Sequence, residues 1–330
     1  MPFSTFENFR NSQAKIIRDN ISGKDGNYKL EGPFHFTAFG INISSDIFLP
    51  ELEKSLGPPD VTILLGKTPT NIPNAIENQE HYQLSSDHFL FKISKLGHFY
   101  AAEGKQVIVE PFSDADPGMI RLFLLGTVFG ALLFQRSVLP IHGSSVEIKG
   151  QAIIFTGFKG VGKSTLMSVL CERGNYFLSD DLSVVTADKD DLPWVQPGYP
   201  QKKLWKDSAD KIGVNVSGLQ PMLSGEEKYA INENSRFFRK PVRLSGICEI
   251  RAEKRLKTEI LSLSGLEKIA VLLRHTYRKT LLKGLGLKEV NFRLCSALAT
   301  RIPVFRLLRP EGKFTALEQA ELVENSLNSE

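Results

Sequence analysis

The most informative segment of the chain is Gly157-Phe158-Lys159-Gly160-Val161-Gly162-Lys163-Ser164. It matches the phosphate-binding loop pattern G-x-x-x-x-G-K-[ST] at every fixed position. The apolar run 151–156 before it predicts a buried strand, and residues 164–173 after it place apolar side chains at helical spacing. The alternative is a glycine-rich turn that only ends a strand, and these flanks disfavour it because strand, loop and helix follow in the required order.

This loop predicts a nucleotide site. Glycines let the backbone approach a phosphate with no Cβ in the way, and successive N–H groups form an anion-binding nest at a helix N-terminus. Lys163 is expected to reach the β- and γ-phosphates of ATP as a catalytic residue, and the Ser164 hydroxyl is expected to ligate Mg²⁺. The predicted cofactor-binding residues are Gly157, Phe158, Lys159, Gly160, Val161, Gly162, Lys163, Ser164 and Thr165.

Two adjacent carboxylates, Asp180 and Asp181, lie on the predicted strand 176–186 that follows the loop helix. Neighbouring strand ends in an α/β sheet meet at the crevice where ligands bind, so the pair is expected beside the loop. One carboxylate would coordinate Mg²⁺, and the other would accept the proton of an attacking hydroxyl. A surface Asp-Asp turn is the alternative.

His142 lies near the start of the predicted strand 141–148 that enters the site. An imidazole there could hydrogen-bond a phosphate or tune the pKa of a carboxylate. The spacing alone is equally typical of a core histidine. Lys202 and Lys203 could touch phosphate or an acidic substrate, although solvated surface lysines are the interpretation that the sequence favours.

Composition excludes several classes of protein. The chain has 330 residues, 42% hydrophobic and 24% charged, which is typical of a globular protein of about two domains. Its net charge of +4 argues against a dedicated nucleic-acid partner. The longest uncharged apolar run, 122–135, is shorter than the about 20 residues of a membrane span, so no membrane partner is predicted. The three cysteines form no C-x-x-C pair, which favours a cytoplasmic location, and the N-terminus lacks a signal-peptide layout.

Three segments are predicted along the chain. Residues 1–28 form an N-terminal extension, in which a helix near 9–21 and a mobile segment are equally favoured. Residues 29–137 form a strand-rich recognition domain with an antiparallel sheet and a connecting helix over 119–135. Residues 138–330 form the catalytic domain.

These motifs together resemble a known family. The runs 142–146 (His-Gly-Ser-Ser-Val), 157–164, 172–174 (Glu-Arg-Gly) and 179–181 (Ser-Asp-Asp) are similar to the HPr kinase/phosphorylase catalytic domain. The resemblance implies an α/β fold with a P-loop kinase core of the HPr kinase/phosphoenolpyruvate carboxykinase type, a mixed sheet, and a smaller strand-rich N-terminal domain. It also implies that His142 is the active-site histidine. We assign Asp180 as the catalytic base and Asp181 as a Mg²⁺ ligand, with the reverse assignment open.

A narrower resemblance concerns the substrate. The runs 39–47, 49–52, 121–126, 197–200, 204–205, 227–229 and 275–278 look like HPr-kinase-related proteins encoded beside lasso-peptide biosynthesis enzymes. That branch phosphorylates the C-terminal serine of a lasso precursor peptide, so a peptide substrate with an acceptor serine is implied. The family's C-terminal signature for phosphorolysis and HPr docking is not recognisable here.

The alternatives are a kinase for HPr-like proteins or for a small-molecule hydroxyl, and an ATP-binding sensor that phosphorylates nothing. Homo-oligomerisation is left open.

Overall fold

The computed structural model describes residues 33–223 and 225–326. The predicted extension 1–28 lies outside the described residues. The described chain divides into two compact units. The first contains residues 33–37, 41–137 and 280–288, and the second contains 38–40, 138–279 and 289–326. Residues 280–288 therefore belong to the first unit, although the sequence analysis placed them in the catalytic segment.

The first unit is built on a mixed sheet, in which nine strands are described, in the order β3-β1-β2-β4-β9-β8-β7-β6-β5. The strands are β1 (Phe34–Ala38), β2 (Ile41–Ser45), β3 (Glu53–Lys54), β4 (Val61–Leu65), β5 (Glu77–Asn78), β6 (Tyr82–Leu84), β7 (His88–Ile93), β8 (Gly97–Ala102) and β9 (Gln106–Pro111). The prediction of a wholly antiparallel sheet was wrong, because β4 pairs in parallel with both β2 and β9. The connections 46–60 and 66–105 are long enough to return the chain to the same end of the sheet.

One continuous helix, α1 (Pro117–Gln135), follows this sheet. Asp116 caps it by accepting a hydrogen bond from the Met119 N–H at 2.7 Å, and a π-helical turn (Leu124–Val128) interrupts its α-helical pattern. With 19 residues and a mean hydropathy of 1.8 it is long and apolar enough to cross a membrane, but 61% of its most apolar window is buried inside the protein. Core helices share this pattern, so length and composition are weak evidence of a span.

The second unit is organised around another mixed sheet, with the order β10-β14-β15-β18-β12-β11-β13 and with β20 and β19 added beside β18. Its strands and a separate hairpin, β16–β17, are β10 (Leu139–Ile141), β11 (Gly143–Ile148), β12 (Gln151–Thr156), β13 (Tyr176–Ser179), β14 (Ser183–Ala187), β15 (Pro193–Gln196), β16 (Gln201–Trp205), β17 (Lys228–Asn232), β18 (Val242–Glu253), β19 (Glu259–Ser262) and β20 (Val304–Pro310). The predicted α/β class with a mixed sheet is confirmed. Strands β11 and β12 form an antiparallel hairpin around residues 149–150.

Helices cover both faces of this second sheet. They are α2 (Lys163–Glu172), α3 (Lys206–Ile212), α4 (Gly265–His275), α6 (Lys288–Arg301) and α7 (Ala316–Ser326), while α5 (Leu281–Gly284) belongs to the first unit. Alternation along β18 separates two cores: Ile247 packs with residues of α4 and α6, and Cys248 packs with residues of α2 and α7. Helix α4 ends at His275, and the next residue, Thr276, forms a β-bridge with Ile141.

Candidate active site

The glycine loop joins β12 to α2 and depends on three of its glycines. Gly160 (φ +81°) and Gly162 (φ +108°) adopt left-handed backbone conformations that favour glycine. At Gly157 (φ +147°) a Cβ would meet the Ile250 carbonyl oxygen at 2.6 Å. The loop can therefore present backbone N–H groups to an anion at the start of α2, as the sequence pattern requires.

Lys163 is folded into this loop. Its Nζ donates to the carbonyl oxygens of Gly157 (2.9 Å) and Phe158 (3.2 Å), and the residue is buried. Burial lowers the pKa of Lys163, while Asp180 and Asp181 oppose that shift. Neutral carbonyls are weak partners for a buried ammonium, so the position favours an incoming polyanion such as a triphosphate.

Asp180 connects the loop helix to two strands. Its Oδ1 accepts hydrogen bonds from the hydroxyls of Ser164 (2.8 Å) and Ser144 (2.6 Å), and its Oδ2 accepts one from the Lys203 N–H (2.7 Å). A hydroxyl oxygen beside a carboxylate oxygen is the donor set that Mg²⁺ takes in kinase sites, where phosphates and waters complete the coordination. Ser164 and Asp180 therefore fit Mg²⁺. No cluster of three or more His, Cys, Asp or Glu side chains suited to a metal occurs within 33–223 and 225–326.

Asp181 lies at a break in the predicted strand 176–186. The chain leaves β13 at Ser179 and enters β14 at Ser183, and Asp181 between them adopts a left-handed φ of +70°. Its Oδ2 accepts a hydrogen bond from Lys203 Nζ (3.1 Å), and its Oδ1 lies 3.5 Å from His142 Nδ1. Burial would raise the pKa of Asp181, but Lys203 and His142 lower it well below its usual range. The carboxylate is therefore ionised.

The two aspartates thus have different surroundings. Asp180 is buried against Ser164, whereas the Asp181 side chain is 27% exposed and lines a cleft. The sequence assignment of Asp180 as base and Asp181 as Mg²⁺ ligand stays untested, and the contacts favour the reverse assignment, which the sequence left open.

His142 lies at the edge of the same cleft. Its Nδ1 donates to the Asp181 carbonyl oxygen (3.0 Å), and its backbone N–H donates to the His275 carbonyl oxygen (2.8 Å). Burial lowers the pKa of His142, with Lys163 adding to that effect and Asp181 opposing it. The imidazole that borders the carboxylate pair therefore has a pKa below its usual value.

The cleft has a volume of about 470 Å³. It is lined by eight of the predicted residues: His142, Lys159, Gly160, Gly162, Lys163, Ser164, Thr165 and Asp181. Gly157, Phe158, Val161 and Asp180 do not line it. Among described residues the lining contains seven basic side chains, Lys159, Lys163, Lys203, Lys211, Lys228, Arg309 and Lys313, against the carboxylates of Asp181 and Asp207. Such a charge balance suits a polyphosphate.

Known proteins with related sequences carry one name. The sequence is 29% identical over 128 residues to an HPr kinase/phosphorylase of Pelodictyon phaeoclathratiforme, an alignment that covers 37% of this chain and 39% of the relative. It is 44% identical over 45 residues to an HPr kinase/phosphorylase of Chloroherpeton thalassium, covering 14% of this chain and 13% of the relative. The chain is thus similar in sequence, over part of its length, to HPr kinase/phosphorylases. It therefore spans about two-fifths or less of the curated relatives that it matches.

A solved structure, the Hpr(Ser) kinase/phosphatase from Coxiella burnetii, aligns with 58% of this chain and 91% of its own at 13% identity and a TM-score of 0.33. No family model matches the sequence.

Lys203 and Arg309 belong to the candidate site, and the sequence analysis assigned neither of them to it. Lys202 and Lys203 were interpreted as solvated surface lysines, but they are only 1% and 7% exposed. Lys203 pairs with Asp181, and that carboxylate raises its pKa well above the usual range although burial opposes the shift. Arg309 on β20 donates from Nε to the Val161 carbonyl oxygen (2.9 Å) and so supports the glycine loop. Neither contact has a local sequence signal, since each joins residues far apart in the chain.

Proposed function

We propose that this protein is an ATP- and Mg²⁺-dependent kinase that phosphorylates a serine hydroxyl, and that its acceptor is the C-terminal serine of a lasso precursor peptide. The observation that carries the proposal is the hydrogen bond from Ser164 Oγ to Asp180 Oδ1 (2.8 Å). It places the loop hydroxyl on a carboxylate pair whose second member faces the cleft. A glycine-rich turn without nucleotide chemistry has no need of this arrangement.

Each group would have one task. The loop N–H groups and Lys163 would bind the triphosphate, and Ser164 with Asp180 would hold Mg²⁺. Bound Mg²⁺ supplies positive charge that neutralises the phosphoryl oxygens during transfer. Asp181 would orient the serine hydroxyl and accept its proton as the oxygen bonds to the γ-phosphorus of ATP and ADP leaves.

Lys203 and His142 would act through Asp181. The Lys203 ammonium holds the carboxylate ionised and fixed on one side, while His142 binds the Asp181 carbonyl oxygen on the other. A carboxylate held in this way costs little reorganisation when the hydroxyl arrives.

The peptide substrate is supported by the likeness of several runs, among them 39–47, 121–126 and 275–278, to the lasso-associated branch. A second candidate is an HPr-type protein, and the names of the two curated relatives favour it. A small-molecule hydroxyl is a third candidate acceptor. With any of the three acceptors, the proposed location of the protein is the cytoplasm.

Mass spectrometry separates these candidates. A serine-terminated lasso precursor peptide and HPr would each be incubated with the protein, ATP and Mg²⁺, beside a Lys163→Ala control. A phosphoryl gain on the peptide serine that the control lacks is the expected result. A gain on HPr alone would select the second candidate. No gain on either with ATP bound would favour a sensor and overturn the proposal for both substrates.

A further inference from the structure

A second charged cluster lies outside the cleft, around Glu249 on β18. We call it the arginine cluster; its members are Glu249, Arg251, Arg274, His275 and Arg306. Glu249 Oε1 accepts hydrogen bonds from Arg274 (2.7 Å) and His275 (2.9 Å), and its Oε2 lies 3.0 Å from the Nε atoms of Arg251 and Arg306. Burial would raise the pKa of Glu249, but His275 and the arginines lower it well below its usual range, so the carboxylate is ionised.

The strand register places this cluster beside the phosphate loop. Glu249 stands opposite Thr156, the residue before Gly157, on one side and opposite Arg306 on the other. Directly paired residues project from the same face of a sheet. Two positions earlier on that face, Ile247 belongs to the core under α4 and α6. The arginine cluster therefore lies on the same face of the sheet as the core beneath α4 and α6. It lies next to the last turn of α4, which contributes Arg274 and His275.

The positive charge of the arginine cluster exceeds the single negative charge of Glu249. Three guanidinium groups surround one carboxylate, and within the described chain the other acidic contact is Glu267, 3.4 Å from Arg306. A guanidinium has five N–H donors, whereas a carboxylate has two oxygens. The side chains of Arg251 and Arg274 are each 32% exposed and that of Arg306 is 16% exposed. Donors therefore remain accessible for a second carboxylate, which arginine binds in a bidentate fork.

An exposed aromatic ring adjoins this charge. Phe158, inside the glycine loop, is 64% exposed, and its ring centroid lies 5.4 Å from that of His275. Because the His275 carbonyl oxygen also accepts the His142 N–H, one residue connects the arginine cluster to the carboxylate pair. An exposed aromatic side chain beside clustered arginines is typical of binding hot spots.

We propose that the arginine cluster and Phe158 bind the acceptor, and that they recognise a carboxylate carried by a peptide close to its reactive serine. Glu249 positions the three guanidinium groups, and Phe158 contacts an apolar part of the peptide. This inference rests on the kinase function proposed above, and it names the surface that selects the substrate. Either a chain-terminal carboxylate or an acidic side chain offers the required chemistry.

A binding experiment tests this surface in the absence of phosphoryl transfer. Three fluorescein-labelled peptides of one neutral sequence would be titrated with the protein in Mg²⁺ and ADP: a free terminal carboxylate after the serine, a terminal amide, and a terminal amide with a glutamate beside the serine. Fluorescence anisotropy is expected to give about tenfold tighter binding for at least one carboxylate peptide than for the neutral amide, as a charged hydrogen-bonded pair provides. Which peptide gains distinguishes the two sources of carboxylate.

Variants assign the preference to the cluster. Arg274→Gln and Arg251→Gln each leave Glu249 with cationic partners, so both are expected to fold, with thermal melts as a check. In both variants the ratio of the carboxylate-peptide affinity to the neutral-amide affinity should fall toward one. Arg293→Gln, at an exposed arginine on α6, should retain the wild-type ratio. A wild-type protein with no carboxylate preference, or a preference retained in both cluster variants, would overturn the inference.

A fluorescent ATP analogue separates the two levels of the proposal. If the analogue fails to bind wild-type protein, the kinase function fails. If it binds and the peptides show no preference, only the acceptor surface fails.

Discussion

Ser164 Oγ donates a hydrogen bond of 2.8 Å to Asp180 Oδ1 and thereby joins the first turn of α2 to the end of β13. The next residue, Asp181, turns away from this contact through a left-handed backbone conformation and pairs with Lys203. The two adjacent carboxylates are in this way held in separate surroundings. Asp180 is buried against the Ser164 hydroxyl, the expected Mg²⁺ ligand, and Asp181 faces the cleft. Their separation leads to distinct expectations for the two asparagine variants.

Asp180→Asn and Asp181→Asn should fail at different steps. Asp180→Asn removes a negative oxygen beside Ser164, so Mg²⁺-dependent ADP affinity should fall by about tenfold or more. Asp181→Asn should leave that affinity near the wild-type value while transfer slows by about 10²–10⁴-fold, the range for a lost general base. Isothermal titration with and without Mg²⁺, beside single-turnover rates, measures both. The opposite pattern would restore the original sequence assignment of base and metal ligand.

Gly157→Ala should destabilise the second unit. The new Cβ would lie 2.6 Å from the Ile250 carbonyl oxygen and 2.8 Å from Val161 Cγ1, at a φ of +147°. A destabilisation of about 1–3 kcal/mol is expected from the backbone strain. Gly150→Ala is the matched control, because its φ is +82° and nothing lies within 4 Å of the new Cβ. Urea melts compare the two, and equal losses of unfolding free energy would show that the contact with Ile250 is unimportant.

Lys203→Met should change how stability depends on pH. The folded pKa of Asp181 is depressed, so its pairing stabilises the native state above the unfolded pKa of about 4 and is lost as pH falls below that value. Removing Lys203 should cost up to about 3 kcal/mol at pH 7, with the loss limited because Asp181 is partly exposed.

The pH profile isolates this effect from simple damage. Between pH 7 and pH 3 the unfolding free energy of the variant should fall less steeply than that of the wild type. Parallel profiles would mean that Lys203 does not set the Asp181 pKa. Lys206→Met, at an exposed lysine paired with Asp210, is the control. Its profile of unfolding free energy against pH should match that of the wild type.

The cysteine thiols should be inert in the native protein. Cys171, Cys248 and Cys295 are buried, and burial raises the pKa of each thiol to about 12. Thiolate is the reactive form, so labelling by a thiol reagent at pH 8 should follow unfolding alone. Rapid labelling in the absence of denaturant would contradict the burial of these side chains.

Sequence reasoning reached the parts of the site that are encoded locally. The strand, glycine loop and helix at 151–173 are specified by a contiguous pattern, and β12 and α2 lie where that pattern puts them. These features need only the period of the apolar residues and the stereochemistry of glycine.

Non-local features escaped prediction. The parallel pairing of β4 with β2 and β9 depends on which strands meet after long connections, which short apolar runs do not encode. Lys203 meets Asp181 across 22 positions and Arg309 meets Val161 across 148, so tertiary packing decides both contacts. The strand 176–186 was predicted as continuous because its apolar pattern hides the left-handed turn at Asp181.

Intact-mass analysis of a serine-terminated precursor peptide tests the central claim most directly. The peptide would be incubated with ATP, Mg²⁺ and either wild-type protein, Asp181→Asn or Lys163→Ala. The account predicts one phosphoryl group on the serine with the wild type and none, over the same time, with either variant. A peptide that stays unmodified with nucleotide-bound wild-type protein, or one that is modified equally by Asp181→Asn, would contradict it.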